Sequence, residues 1–171
     1  SAAFLVIGML AHFWALHFYL QKPLDFKDVW LRFRTPGWIV FDFLLLVAVL
    51  SAFGIVTSAY LAYQWYEAAS ASWCDIDAFF SCSKVRESPY AAVAGVPTAF
   101  VGVAGFAALL GLAIVGLRGR DALGPWSVDR WLLVFALLGG GIGVGLTVIE
   151  IFVIQAICIL CAIGFALDLG I

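Results

Sequence analysis

WLLVFALLGGGIGVGLTVIEIFVIQAICILCAIGFALDLGI, residues 131–171, is the stretch that decides the fold. It runs apolar for 41 residues. At about 1.5 Å per residue, one helix of that length would be roughly 60 Å long, about twice a bilayer's hydrocarbon core. The chain therefore turns back within it, and the polar residues Glu150 and Gln155 mark the place. This gives one helix over residues 131–153 and another from about residue 156. The second carries Cys158 and Cys161, a C-x-x-C inside an apolar segment.

Working outward, three further stretches are long and apolar enough to span a membrane. They cover residues 2–20, 38–66 and 97–117, the last with Pro97 at a favourable first-turn position. Polar links occupy residues 21–36 and 118–130, and a longer polar loop runs over 67–96. The whole chain of 171 residues is 65% hydrophobic and 12% charged. A soluble domain is about half apolar and a quarter charged, so this composition defines an integral membrane protein, one domain by length. The net charge of −2 and the lack of a basic run give no case for a nucleic-acid partner. The first apolar stretch has no basic leader and no small-residue cleavage site, so it reads as a span and not a signal peptide.

Charge orients the spans. The links hold Lys22, Lys27, Arg32, Arg34, Arg118, Arg120 and Arg130, while the 67–96 loop holds only Lys84 and Arg86. Lys and Arg concentrate on the cytoplasmic side, which places the loop and the 153–156 turn outside. That loop contains the other two cysteines, Cys74 and Cys82, within WCDIDAFFSCS, residues 73–83. Both cysteine pairs then share one oxidising face, where disulfides persist. With a helix starting near Ala156, Cys158 falls in its first turn, where unpaired N–H groups and the helix dipole favour a thiolate. Cys161 lies on the same face, about one turn deeper. Cys158 is placed to meet water-side thiols and Cys161 to meet something in the bilayer. Exchange runs through a mixed disulfide, so a loop cysteine reacting with Cys158 is the natural relay. The bland alternatives are a zinc site built from the four cysteines, or inert structural disulfides in a membrane scaffold or transporter. A zinc site rarely buries half its ligands in a membrane helix, so no metal site is expected.

The chain resembles the vitamin K epoxide reductase family. The residues that carry the likeness are CDIDAFFSCSKVRESPY over 74–90, GVPTAFVG over 95–102 and CILC over 158–161. The resemblance covers about Trp38 to the end. It implies an all-α membrane fold, a four-helix transmembrane bundle around a quinone over residues 37–171. The loop 67–96 would cap its extracytoplasmic mouth. Residues 1–36 would be an extra N-terminal transmembrane helix with its cytoplasmic link. The implied activity is that of a thiol:quinone oxidoreductase that makes disulfides, in a multi-pass plasma-membrane protein. Cys161 would face the quinone, Cys158 would exchange with Cys82, and Cys74 would pair with Cys82 and meet the partner thiol. Many microbial homologues carry a thioredoxin-like domain and this sequence has none, so the expected partner is a separate thioredoxin-like protein. Vertebrate relatives have a Tyr four residues after the second C-x-x-C cysteine. Here that residue is Phe165, which cannot donate a hydrogen bond. An ordinary membrane quinone, ubiquinone or menaquinone, is therefore favoured over a vitamin K type epoxide. Quinone-epoxide reduction stands as the rival activity.

Other residues have two readings each. Thr98 follows Pro97 where a quinone headgroup would lie, and its hydroxyl can donate to a quinone carbonyl or bond a backbone carbonyl. Gly139/Gly143 and Gly141/Gly145 have the spacing of close helix packing and not of a phosphate loop, which lacks its strand here. Asp42 and Glu150 sit near span ends and read as solvated, with a proton relay near Cys158 as the alternative for Glu150. His12 and His17 fall outside the matched region. Trp30, Trp38, Tyr63, Trp65, Tyr66, Trp73, Trp126 and Trp131 cluster at segment ends as an interfacial belt.

Overall fold

The computed structural model describes residues 36–67, 72–93 and 95–171. The expected span over 2–20, its link and both histidines lie outside the described residues. The chain divides into two compact units, Ser1–Leu46 and Val47–Ile171. Of the first unit, the described residues form the opening turns of a helix that begins at Pro36, where the missing N–H is no loss. The second unit contains the rest of the fold.

The described fold is mostly helical. Helix α1 is Pro36–Tyr66 and α2 is the short Cys82–Arg86. Helix α3 is Thr98–Leu117, α4 is Val128–Ile149 and α5 is Ile159–Leu169. A π-helical turn, Glu150–Ile154, extends α4. Among the described residues, three segments are long and apolar enough to cross a membrane: Val40–Tyr66, Thr98–Leu117 and Val128–Ile154; α5 is a shorter apolar helix. Many of their large side chains point outward, including Phe53, Val56, Leu137 and Phe152. Such surface is stable against hydrocarbon and not against water.

The strand-free expectation needs a small correction, because each of two loops holds a two-residue antiparallel ladder. Strand β1, Ala92–Val93, pairs with β2, Val96–Pro97. Strand β3, Ala122–Leu123, pairs with β4, Trp126–Ser127. The second reverses at Gly124, whose φ of +67° suits glycine. Its end is pinned by Trp131, whose indole N–H donates to the Leu123 carbonyl at 3.0 Å. Local turn chemistry, not span-scale hydropathy, encodes these ladders.

Small residues let the helices of the second unit approach. A side chain at Gly54 of α1 would run into the ring of Phe106 on α3, and one at Gly102 of α3 would press on Ser58 of α1. On α4, Gly139 faces Asp168 and Gly143 faces Phe165, both on α5. Gly141 and Gly145 have open space instead. Only the first of the two four-residue pairs therefore meets a neighbouring helix. Leu109, Ala113 and Leu132 are buried where these helices meet.

Candidate functional site

The loop that carries Cys74 and Cys82 is organised by one carboxylate. Asp75 accepts the Ser72 amide at 2.9 Å, the Ser81 hydroxyl at 3.0 Å, and both the amide (2.9 Å) and hydroxyl of Ser83. Burial pushes its pKa up, but the bonds from Ser83, Ser81 and Ser72 outweigh this and bring it down to about 2. Ser81 then caps α2 by accepting the Lys84 amide at 3.2 Å. Cys82 is thus the first residue of α2. It is bonded to Cys74 with their Cα atoms 5.8 Å apart, and both are buried.

This arrangement has an acid dependence. Asp75 holds its proton less readily in the folded loop than at the ordinary 3.8, so its stabilising contribution is complete above that value. The contribution drains away as pH falls through the folded value. Amide protection over residues 72–83, measured relative to the intrinsic exchange rate at each pH, should fall from about pH 4 down to about pH 2. Unchanged protection across that window would show that Asp75 does not hold the loop.

Backbone hydrogen bonds fasten the loop to the turn between α4 and α5. The Ile157 amide donates to the Phe79 carbonyl at 2.7 Å, and the Ser81 amide donates to the Ile157 carbonyl at 3.2 Å. The Lys84 ammonium reaches the Gln155 carbonyl at 3.3 Å. Gln155 is left-handed, with φ 55°, and ends the π turn. The reversal thus falls where Glu150 and Gln155 mark it. Helix α5 begins at Ile159, later than expected, so Cys158 is its N-cap residue and not a member of its first turn.

That position is chemically useful. The Cys161 amide donates to Cys158 Sγ at 3.3 Å. The Cys161 thiol and then its amide hold the Cys158 thiol below the usual cysteine range, against burial and the nearby Glu150 carboxylate. Cys158 and Cys161 are free thiols. Cys158 Sγ lies 3.4 Å from Cys82 Sγ. A disulfide, Cys74–Cys82, and a dithiol, Cys158/Cys161, are therefore in contact through one sulfur of each.

Beside the sulfurs is a cavity of about 1010 Å³. Its wall includes Cys161, Glu150, Thr98, Phe165, Leu109 and Asp168. It suits a flat apolar ring with polar substituents: the walls are mainly hydrocarbon, and Asp168 Oδ2 is a buried oxygen with no partner among the described residues. Thr98 lines this space, but its hydroxyl donates to the Ala91 carbonyl at 3.1 Å. Its proton is engaged there, leaving the oxygen as an acceptor. Phe165 forms an apolar wall against Gly143. The solvated reading of Glu150 is overturned: it is 5% exposed, because the π turn folds it inward over Cys158. Asp42 is half-buried in the first unit.

Two residues escaped the sequence reading. One is Asp75, for which the serines on both sides of Cys82, its partners in the structure, were the available signal. Asp168 sits seven residues after Cys161, nearly the same face two turns on. An acid within an apolar helix was a signal in itself.

A disulfide touching a dithiol beside an apolar cavity, in a chain with membrane-spanning helices, defines a membrane thiol–disulfide oxidoreductase. The chain belongs to the vitamin K epoxide reductase family, whose family model matches residues 45–170. The family is in general one of membrane oxidoreductases that work with thiols and quinone, typically beside thioredoxin-like partners.

Proposed function

We propose that this protein passes two electrons from a separate thioredoxin-like dithiol to a membrane quinone, leaving the partner with a disulfide. The 3.4 Å contact between Cys82 Sγ and Cys158 Sγ carries the reading, because it joins the two pairs into one path. A partner thiolate attacks Cys74–Cys82, and the partner's second thiol resolves the mixed disulfide. Cys82 then attacks Cys158 of the inner disulfide, and Cys74 resolves Cys82–Cys158. The inner dithiol is left reduced, the arrangement described above. Its oxidation gives two electrons and two protons to a quinone held in the cavity. The bound quinone supplies the lipid-side redox chemistry; the chain's residues position it and exclude water.

In this reading α1, α3, α4 and α5 form the four-helix unit, residues 37–171, with the loop 67–96 over its extracytoplasmic mouth. Residues 1–36 add a further span and a cytoplasmic link, and the protein lies in the plasma membrane. Cys74, Cys82, Cys158 and Cys161 are the redox residues. Phe165 supplies an apolar face to the ring, and Thr98, whose proton is engaged by the Ala91 carbonyl, can accept only from a hydroxyl of the reduced ring. Phe165 has no donor for an epoxide oxygen, which favours ordinary quinone over epoxide.

Proteoliposomes carrying the full chain should reduce ubiquinone or menaquinone when a reduced thioredoxin-like protein is added outside. In intact cells, a membrane-impermeant maleimide should label Cys74 or Cys82 after reduction. No quinol with either quinone would sink the activity, and labelling only in broken cells would invert the topology.

A further inference from the structure

We propose that Glu150 is a catalytic proton carrier for the inner cysteine pair. This rests on the thiol-to-quinone reading above and adds to it the group that moves a proton. The placement carries the inference. Glu150 Oε2 accepts the Cys158 amide at 3.1 Å, and the carboxyl also faces the Cys161 thiol. The residue is buried and lines the cavity. Burying a carboxyl is unfavourable unless it is well partnered, so its retention against two thiols asks for a reason. The backbone also departs from α geometry here, because the π turn begins at Glu150 itself. Such turns recur at functional sites.

The chemistry needs a base at this point. When the inner dithiol becomes a disulfide, two S–H bonds break, one S–S bond forms, and two electrons and two protons leave for the acceptor. Cys158 is at a helix N-terminus and can carry negative charge without help. Cys161 is the third residue of α5, and the first-turn amide there donates to the Cys158 sulfur and not to its own. Its proton moves to the Glu150 carboxylate as the S–S bond forms, and passes on to an oxygen of the reduced acceptor in the adjoining cavity. In the preceding exchange, Cys82 attacks Cys158 and Cys161 departs as a thiolate. The proton that Cys82 gives up as it attacks is taken by the Glu150 carboxylate and returned to the Cys161 sulfur, which regenerates the carboxylate. One group thus serves both half-reactions, alternating between acid and base. The titratable groups around it are Cys158 and Cys161 at the start of α5 and, from α2, Cys82 beside Cys158 and Lys84 on the Gln155 carbonyl.

Glu150→Gln tests this, because the amide oxygen can still accept from Cys158 while no proton can be carried. In proteoliposomes of the full chain, thiol-driven quinone reduction should fall about 100-fold. Partner reduction of Cys74–Cys82 should keep its wild-type rate. The second readout uses no quinone: alkylation of Cys158 and Cys161 by N-ethylmaleimide, followed against pH by mass spectrometry. A carboxyl titration should shape the wild-type profile, vanish in Glu150→Gln and return in Glu150→Asp. Turnover of Glu150→Gln within about threefold of wild type, against the loss expected of an acid–base group, would overturn the proposal. So would an alkylation profile unchanged by the substitution. If Glu150→Gln does not assemble, Glu150→Asp decides: a retained carboxyl limb supports the proposal and an absent one ends it. A wild-type protein that reduces no quinone would sink the earlier reading alone, since the alkylation profile still reports on Glu150.

Discussion

Cys161→Ala should stop quinone reduction and accumulate a chain in which Cys82 is joined to Cys158. The two sulfurs are 3.4 Å apart, so Cys82 is the loop cysteine the structure shows in contact with Cys158. With Cys161 gone, the Cys158 thiolate attacks Cys82 and Cys74 leaves; release by an inner thiol attacking Cys158 is lost, and the return attack by Cys74 only restores the starting pair, so the adduct has no forward outlet. The loss should span several orders of magnitude, as when a nucleophile is deleted from a site whose members act as a unit. Non-reducing peptide mapping reads the product. A peptide joining Cys74 to Cys158, or a Cys74–Cys82 bond that never opens, would reverse the proposed order.

The second large effect concerns packing. Gly143→Leu would drive a branched side chain into the ring of Phe165, where even a Cβ has no room. Overpacking of this kind destabilises by about 1–3 kcal/mol. In a domain of this size each kcal/mol moves the melting temperature by about 2–4 °C. Gly141→Leu is the internal control, since nothing lies within 4 Å of the position a Cβ would take there. Thermal unfolding in detergent should separate the two variants clearly. Equal melting temperatures would mean that α4 does not press on α5 at Gly143. Unchanged stability with lost quinone binding would instead make Gly143 a wall of the cavity alone.

These expectations show which features a linear reading reaches. Spans over 97–117 and 131–153 were legible because hydrocarbon selects uninterrupted apolar runs; the structure gives Thr98–Leu117 and Val128–Ile154. The cysteine pairs were legible because their spacing is local and their chemistry specific. The reversal between the last two helices was visible in Glu150 and Gln155, but its form was not. A π turn followed by a left-handed Gln155 depends on contacts with residues about seventy positions earlier, notably Lys84 and Ser81. The same distance hid the inward turn of Glu150. Thr98 shows the opposite failure. Its position on the cavity wall was anticipated, yet a carbonyl seven residues back accepts its hydrogen bond. Hydroxyl partners of this kind depend on how β1 and β2 bring the chain together, which hydropathy does not report.

The sulfur contact between loop and turn also changes the connectivity of the chain. The resting Cys74–Cys82 bond spans 8 positions, whereas a Cys82–Cys158 bond spans 76 and encloses α3 and α4. Exchange thus converts a small covalent ring into one that holds nearly half the molecule. The entropy removed from the unfolded ensemble grows with the logarithm of ring size, a difference here of about 2 kcal/mol in favour of the transfer intermediate. On the proposed path, electrons crossing between the pairs would pass through a more tightly tied form of the polypeptide than the resting one. The Cys161→Ala adduct should show this as a melting transition above that of the resting protein.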